Sequence, residues 1–359
     1  MPDRRGSNAE TDPASSPPAP LSRRAAGTAC AAALLAAAGA PPATAAVPAS
    51  RGGSARGGGA DKGTKTTAHA VVSGGLGGTY IRVAADIASV LDGTGTRVLP
   101  VVSKGSGENL DHLLHTRGID AALVQADALA DLRWRATPDA VRSIEYAAKL
   151  YDEEIHLLAR REIGSIADLA GKRVNVDRRG SGTALTASVL FGALGLGVEA
   201  VHDDQETALG RLLRGEIAAL AYVAGKPVHL LSRLGGQEAG AVHLIAVPLD
   251  AALLDTYVPA RLERADYPAL VADEGGVDTF AVGTVLAVYV WPPGSERHDN
   301  LARFVAATFD RAAALKQPPH HPKWREVSLR SQVPGWTRFA PARDWLRRQG
   351  GTPPDARPR

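Results

Sequence analysis

Three times along this chain a short apolar run gives way to a glycine-rich turn and then to residues with helical periodicity. Val71-Val72 leads through Ser73-Gly74-Gly75-Leu76-Gly77-Gly78-Thr79-Tyr80 into an amphipathic stretch ending at Leu91. Gly105-Ser106-Gly107-Glu108-Asn109 and Gly180-Ser181-Gly182-Thr183 also follow an apolar run and open a helical one. Consecutive parallel strands need a crossover, so a repeated strand–turn–helix unit implies a parallel sheet covered by helices. Further strands are expected at 98–102, 120–124, 144–150, 155–159, 172–176, 218–223, 242–247 and 277–289. Helices are expected at 108–115, 126–135, 184–194, 209–213, 300–315 and 344–349. A second unit begins near Ile163, where Ser165 and Asp168 have the spacing of a helix capping box.

The same turns are suited to hold an anion. Glycine lets the backbone come close to a ligand, and the unpaired N–H groups of a first helical turn point outward. Each turn alone reads equally well as a tight connection, and Thr79 and Ser106 are equally suited to cap their helices. Asp127 reads first as an acid at a helix start, and Arg178 and Arg179 first as solvated loop charges. Tyr80 and Tyr222 divide evenly between cleft and packing roles.

With 359 residues, the length prior is about two domains. Apolar residues make up 45% and aromatics 5%, so the core is expected to be built of Ala, Val and Leu. The net charge is only +3, from 41 basic and 38 acidic residues that interleave, which excludes a nucleic-acid partner. Arg23-Arg24 precede an Ala/Leu-rich run over 25–40, and Ala43-Thr44-Ala45 offers small residues for cleavage. Residues 1–45 therefore read as an export signal, or alternatively as a low-complexity tail. Removing them takes away Cys30, the only cysteine, and leaves a charge of +2 with no disulfide or thiolate metal site. Residues 46–66 read as a flexible tether and 350–359 as a disordered tail. No later apolar run reaches the roughly 20 residues a membrane span needs. A periplasmic location is expected, with membrane tethering the alternative if the signal stays attached.

Signatures of catalysis are absent. Gly225-Lys226-Pro227 fails the phosphate-binding loop pattern because proline follows the lysine, and the chain has no His-Glu-x-x-His and no Gly-x-Ser-x-Gly. His320-His321 lie among prolines without a third ligand and read as surface loop, so no metal and no cofactor are expected. Asp152 and His156 read as hinge packing. A non-enzyme is expected, with an enzyme on the same fold the less favoured reading.

Seven pieces in order resemble the TAXI-type solute receptors of TRAP transporters, within the type II periplasmic binding proteins. They are Gly74–Tyr80, Gly105–Leu110, Asp120–Asp127, Leu150–Leu157, Gly171–Val176, Gly180–Thr183 and Gly225–Pro227, and the resemblance covers Ala68 to Trp291. It implies two Rossmann-like α/β lobes joined by a hinge, with a ligand cleft between them. The chain would cross near His156–Arg161 and again near Asp278–Tyr289. Lobe 1 would comprise residues 67–158 plus 278–349, and lobe 2 residues 159–277. The ligand would be a small carboxylate: an amino acid, oxoacid or dicarboxylate. Gly78, Thr79, Tyr80, Ser106, Asn109 and Gln125 would hold it from lobe 1, and Gly180, Ser181, Gly182, Thr183 and Gly225 from lobe 2. Asp127, Arg178, Arg179 and Tyr222 are further candidates. The implied partner is a TRAP-type membrane permease, with a membrane kinase as the alternative, and the receptor is expected to be a monomer. The sequence departs from the family where Asp177-Arg178-Arg179 precedes Gly180, at Ala218, and in a tryptophan-bearing segment over 320–345 expected to pack across lobe 1.

Overall fold

The chain runs β1 (Thr67–Val72), α1 (Thr79–Leu91), β2 (Thr96–Val101), α2 (Ser106–His115), β3 (Ile119–Gln125), α3 (Ala126–Arg135), α4 (Pro138–Arg142) and β4 (Ile144–Arg160). It continues through β5 (Arg173–Asn175), α5 (Gly182–Ala193), β6 (Glu199–Val201), α6 (Gln205–Leu213), β7 (Ala219–Ala224), α7 (His229–Ser232), α8 (Gly236–Ala241) and β8 (Val242–Leu244). The last elements are β9 (Tyr257–Leu262), β10 (Val277–Tyr289), α9 (Glu296–Asp310), α10 (Ala312–Leu315) and α11 (Ala340–Arg348). The computed structural model describes residues 66–248, 253–254, 256–271 and 275–350. The expected signal over 1–45, the tether up to residue 65 and the tail from 351 lie outside the described residues.

One mixed sheet joins the strands in the order β2-β1-β3-β10-β4-β7-β5-β6, with β9 beside β10 and β8 beside β4. The expected parallel pairing holds in the two wings, β2-β1-β3 and β7-β5-β6. The centre is antiparallel. β4 and β10 pair with each other from Ile144↔Tyr289 to Glu154↔Ala281, and each then continues into the second wing. These two long strands are the crossings between lobes.

The sequence suggested two strands, at 144–150 and 155–159, separated by the polar run Tyr151-Asp152-Glu153-Glu154. The structure has one, because the ladder carries on through Asp152↔Gly283 and Glu153↔Val282. Alternation puts Asp152 and Glu154 on one face and Glu153 on the other, and the two acids of the first face each have a cation. Lys149 pairs with Asp152 at 2.8 Å, and Lys323 with Glu154 at 2.6 Å.

Each wing is covered on both faces. In lobe 1, Val83, Ile87 and Leu91 of α1 pack with Leu301, Phe304 and Val305 of α9 on one face. Leu110 and Leu113 of α2 pack with Leu129 and Leu132 of α3 on the other. In lobe 2 the corresponding layers are α5 (Ala187, Leu190, Phe191) and α6–α8 (Leu209, Leu212, Leu230, Leu231). Burying one such aliphatic side chain stabilises by about 1.5–3 kcal/mol, and Phe304, Phe309 and Phe339 add rings to the lobe 1 core.

The single helix expected at 300–315 is two, broken at Arg311. The segment after α10 is firmly packed. Trp324, Phe339 and Ala342 enter the lobe 1 core, and Phe339 N–H donates to the Tyr146 carbonyl at 2.8 Å. Arg338 is buried over the Tyr146 ring and gives hydrogen bonds to the carbonyls of Leu329 and Ser331. His321, read from the sequence as surface loop, is buried. Its N–H donates to Asp86, which also accepts from the Trp324 indole, both at 2.9 Å.

Candidate functional site

A cleft of about 350 Å³ lies where the wings face each other. At about 30 Å³ per water the space takes roughly twelve waters. Three helix starts form its walls. Gly78 is the N-cap of α1, Gly105 of α2 and Ser181 of α5, and only Ser181 caps with its side chain, accepting from Ala184 N at 3.1 Å. Side chains therefore leave the first amides of the two lobe 1 helices open, although Glu108 N in α2 donates to the Gly180 carbonyl.

The turn entering α5 puts a cation into this cleft. Asp177 has φ +67°, the left-handed conformation that usually calls for glycine and that aspartate tolerates better than most. The residue thus does the work of the glycine missing from the resemblance. The bend brings Arg178 across to lobe 1, where its guanidinium lies 3.2 Å from where a Cβ on Gly75 would be. The Arg178 Nε is buried and has no hydrogen-bond partner among the described residues. Arg179, next along, points away and lines a separate cavity of about 810 Å³ beside Asp111, Asp131 and Arg135.

Gly78, Thr79, Tyr80, Ser106, Gln125, Ser181, Gly182, Thr183, Arg178 and Tyr222 come together around the cleft. Ser106 Oγ donates to Gln125 Oε1 at 3.2 Å, accepts from Gln125 N at 3.1 Å and meets the Tyr80 hydroxyl at 3.3 Å. Neither Thr79 nor Ser106 is a cap, since each is the first residue of its helix. The Thr79 hydroxyl donates to the Gly225 carbonyl, and the Thr183 hydroxyl accepts from Val223 N.

Five candidates stand elsewhere, each for a visible reason. Asn109 is fully buried with its amide spent on the Ser73 and Leu123 carbonyls and its oxygen on Ser103, which ties α2 to β1 and β3. Gly180 gives its carbonyl to Glu108 N at 3.0 Å, an interlobe backbone contact. Gly225 packs in the hinge, where a Cβ would meet Lys323 Cγ at 2.9 Å. Asp127 accepts from Thr186 Oγ1 at 2.6 Å and Tyr257 OH at 2.9 Å, so it links the lobes behind the cleft. Arg179 faces the second cavity, as described.

The lobes abut closely around the ligand space. A Cβ on Gly182 would come within 1.6 Å of Gln125 Oε1, and one on Gly107 within 2.8 Å of the Gly180 carbonyl.

Sequence reading missed Glu153, which lines the cleft at 3% exposure. Burial pushes its carboxyl up to about 8, and the nearby hydroxyls of Tyr80 and Thr284 offset only part of that cost. Its position in the middle of a strand was hidden by reading 151–154 as an interruption. The other acids of the lining have partners. Asp204 caps α6 through Thr207, Glu206 pairs with Arg233 at 2.7 Å, and Asp177 leans on Ser181 and the Arg178 backbone.

Residues 71–288, more than half of the chain, match the model of the NMT1-like family. Similar solved structures include the periplasmic aliphatic sulphonate binding protein SsuA from Escherichia coli, at 17% identity over 69% of this chain and 73% of that one, with a TM-score of 0.39. An amino acid ABC transporter substrate-binding protein from Streptococcus pneumoniae, bound to L-arginine, is 13% identical over 73% and 95%, with a TM-score of 0.41. The regulatory domain of CcmR from Synechocystis PCC6803, in complex with 2-PG, is 15% identical over 67% and 98%, with a TM-score of 0.41.

Proposed function

The chain belongs to the NMT1-like family, and from that premise we propose that it is a solute-binding receptor that captures a small carboxylate by closing two lobes around it. The observation that carries this reading is Arg178, a cation brought across the cleft with its Nε unpartnered, opposite helix starts whose amides are uncapped by side chains. A carboxylate completes both sets of donors at once, and charge-assisted hydrogen bonds are about twice as strong as neutral ones. Gly78, Thr79, Tyr80, Ser106 and Gln125 receive the ligand from lobe 1, and Arg178, Ser181, Gly182, Thr183 and Tyr222 from lobe 2. No step of chemistry is assigned: the ligand enters, is enclosed and leaves unchanged. The receptor works outside the inner membrane as a monomer and delivers its ligand to a TRAP-type permease, in keeping with the TAXI-like order of its motifs.

A thermal-shift panel of amino acids, 2-oxoacids and dicarboxylates tests the reading, with neutral sugars as controls. A ligand at about 100 times its Kd stabilises by about 2.7 kcal/mol, which is visible in a melt. Carboxylates are expected to raise the Tm of the native protein and to lose that effect in Arg178→Met. Stabilisation by sugars alone, or an undiminished shift in Arg178→Met, overturns the carboxylate assignment.

A further inference from the structure

Glu153 lines the cleft and, among the described residues, pairs with no cation and caps no helix. Glu154, its neighbour in β4, faces the other way and holds Lys323. Tyr80 faces Glu153 from α1, Thr284 from β10, Tyr222 from β7 and Asp127 from α3, with Tyr151 and Glu154 along its own strand. Those groups are neutral or acidic. Among the described residues the cations that enter the same cavity are Arg178, on the far lobe, and Lys104 at the rim, which is spent on Glu108 at 3.2 Å. A buried carboxylate in such surroundings holds a proton in preference to a bare charge. The cleft therefore has two unlike ends, a fixed cation at Arg178 and an acid that needs a cation at Glu153.

We propose that Glu153 determines specificity in this cleft by accepting the ammonium group of a carboxylate ligand and giving up its own proton as the lobes close. The carboxyl O–H bond breaks, the proton leaves to water, and the ligand ammonium keeps all of its hydrogens and donates to the new carboxylate. The ligand's carboxylate lies at the Arg178 end. An amino acid thus leaves the closed cleft electrically balanced, whereas a 2-oxoacid of the same skeleton offers Glu153 only a carbonyl and draws no proton from it. This proposal rests on the carboxylate reading above and goes beyond it by naming the second group of the ligand and a proton linkage.

The test is calorimetry on the full chain with matched pairs: L-alanine and pyruvate, L-leucine and 4-methyl-2-oxopentanoate, L-glutamate and 2-oxoglutarate. Titrations at pH 6 to 8 in two buffers of different ionisation enthalpy count the protons. Amino acid binding is expected to release close to one proton near pH 6.5 and to tighten by up to about tenfold per pH unit until pH about 8. The oxoacids are expected to release none and to bind with flat pH dependence. In Glu153→Gln the amino acid slope and the proton release disappear. A flat amino acid profile, equal proton release by both members of a pair, or a slope retained in Glu153→Gln overturns the assignment of Glu153. Binding by no acid at any pH refutes the carboxylate reading itself. The buffer comparison on the native protein decides the proton linkage even where the variant folds poorly.

Discussion

The glycine at the start of α5 offers a way to separate closing from folding. Gly182→Ala adds one methyl group, whose carbon would lie 1.6 Å from Gln125 Oε1 and 2.8 Å from Ser106 Oγ. An ordinary contact needs at least 3.4 Å, so the lobes must part by about 1.8 Å at this point, by difference from the 1.6 Å contact, or Gln125 must abandon its bond to Ser106. Within lobe 2 alone the change is harmless, because Gly182 is the first residue of a helix and alanine there stabilises by about 0.5–1 kcal/mol. Folding and capture therefore respond in opposite directions. The ligand-free Tm is expected to hold or rise slightly. Affinity falls by the contact that closing brings, the charge-assisted hydrogen bond from Arg178, about 1.5–3 kcal/mol, or roughly one to two orders of magnitude in Kd. Calorimetry with the best carboxylate of the panel gives the Kd, and small-angle scattering shows whether saturating ligand still reduces the radius of gyration. Native affinity in Gly182→Ala refutes the closing contact. A Tm several degrees lower without ligand shows instead that the abutment is permanent packing.

Glu153 also makes a prediction about stability. Its carboxyl is raised to about 8 when folded, against about 4.3 in an unfolded chain, so the folded state binds more protons between those values. Its contribution is fully present below pH about 4.3 and lost as pH rises through about 8, at up to about 1.4 kcal/mol per pH unit. Denaturant titrations from pH 5 to 9 are expected to show this decline in the native protein without ligand and to lose it in Glu153→Gln. An identical decline in the variant assigns it to other groups. Lys323→Met leaves Glu154 buried without its cation and is expected to cost about 3–5 kcal/mol, with much of the loss recovered in Lys323→Met/Glu154→Gln. Simple addition of the two single effects in a double-mutant cycle counts against the pair. Asp127→Ala strands the Thr186 and Tyr257 hydroxyls at the interlobe contact, for about 1–3 kcal/mol. Native ligand affinity and native Tm together in that variant show that the contact is idle.

Local pattern carried the cleft walls well. Strand, glycine turn and helix start are short-range features, and the three turns that display them are the ones that face each other across the lobes. What local pattern could not supply was direction. Asn109, Gly180 and Gly225 sit beside cleft residues in the chain, yet their polar groups are spent on β-strand carbonyls, an interlobe amide and the hinge. Glu153 was hidden for the opposite reason. Its strand looked interrupted, and only pairing with β10 reveals that the acids at 152–154 alternate between faces. The segment after α10 was harder still, since Lys323 meets Glu154 across 169 residues and no periodicity records such a contact. His321 illustrates the same limit: prolines mark a loop but not whether the loop is covered.

Lys323 also bears on the order in which the chain completes its fold. Both wings have most of their strands by Leu262, and the parallel units are complete much earlier. The return strand β10 arrives only with residues 277–289, and the cation that neutralises Glu154 in the hinge arrives after that. A growing chain therefore holds the walls of the cleft before it holds the strand and the cation that join them. A clipped product ending before Lys323 would keep every residue that lines the cleft while leaving an acid unpaired at the pivot.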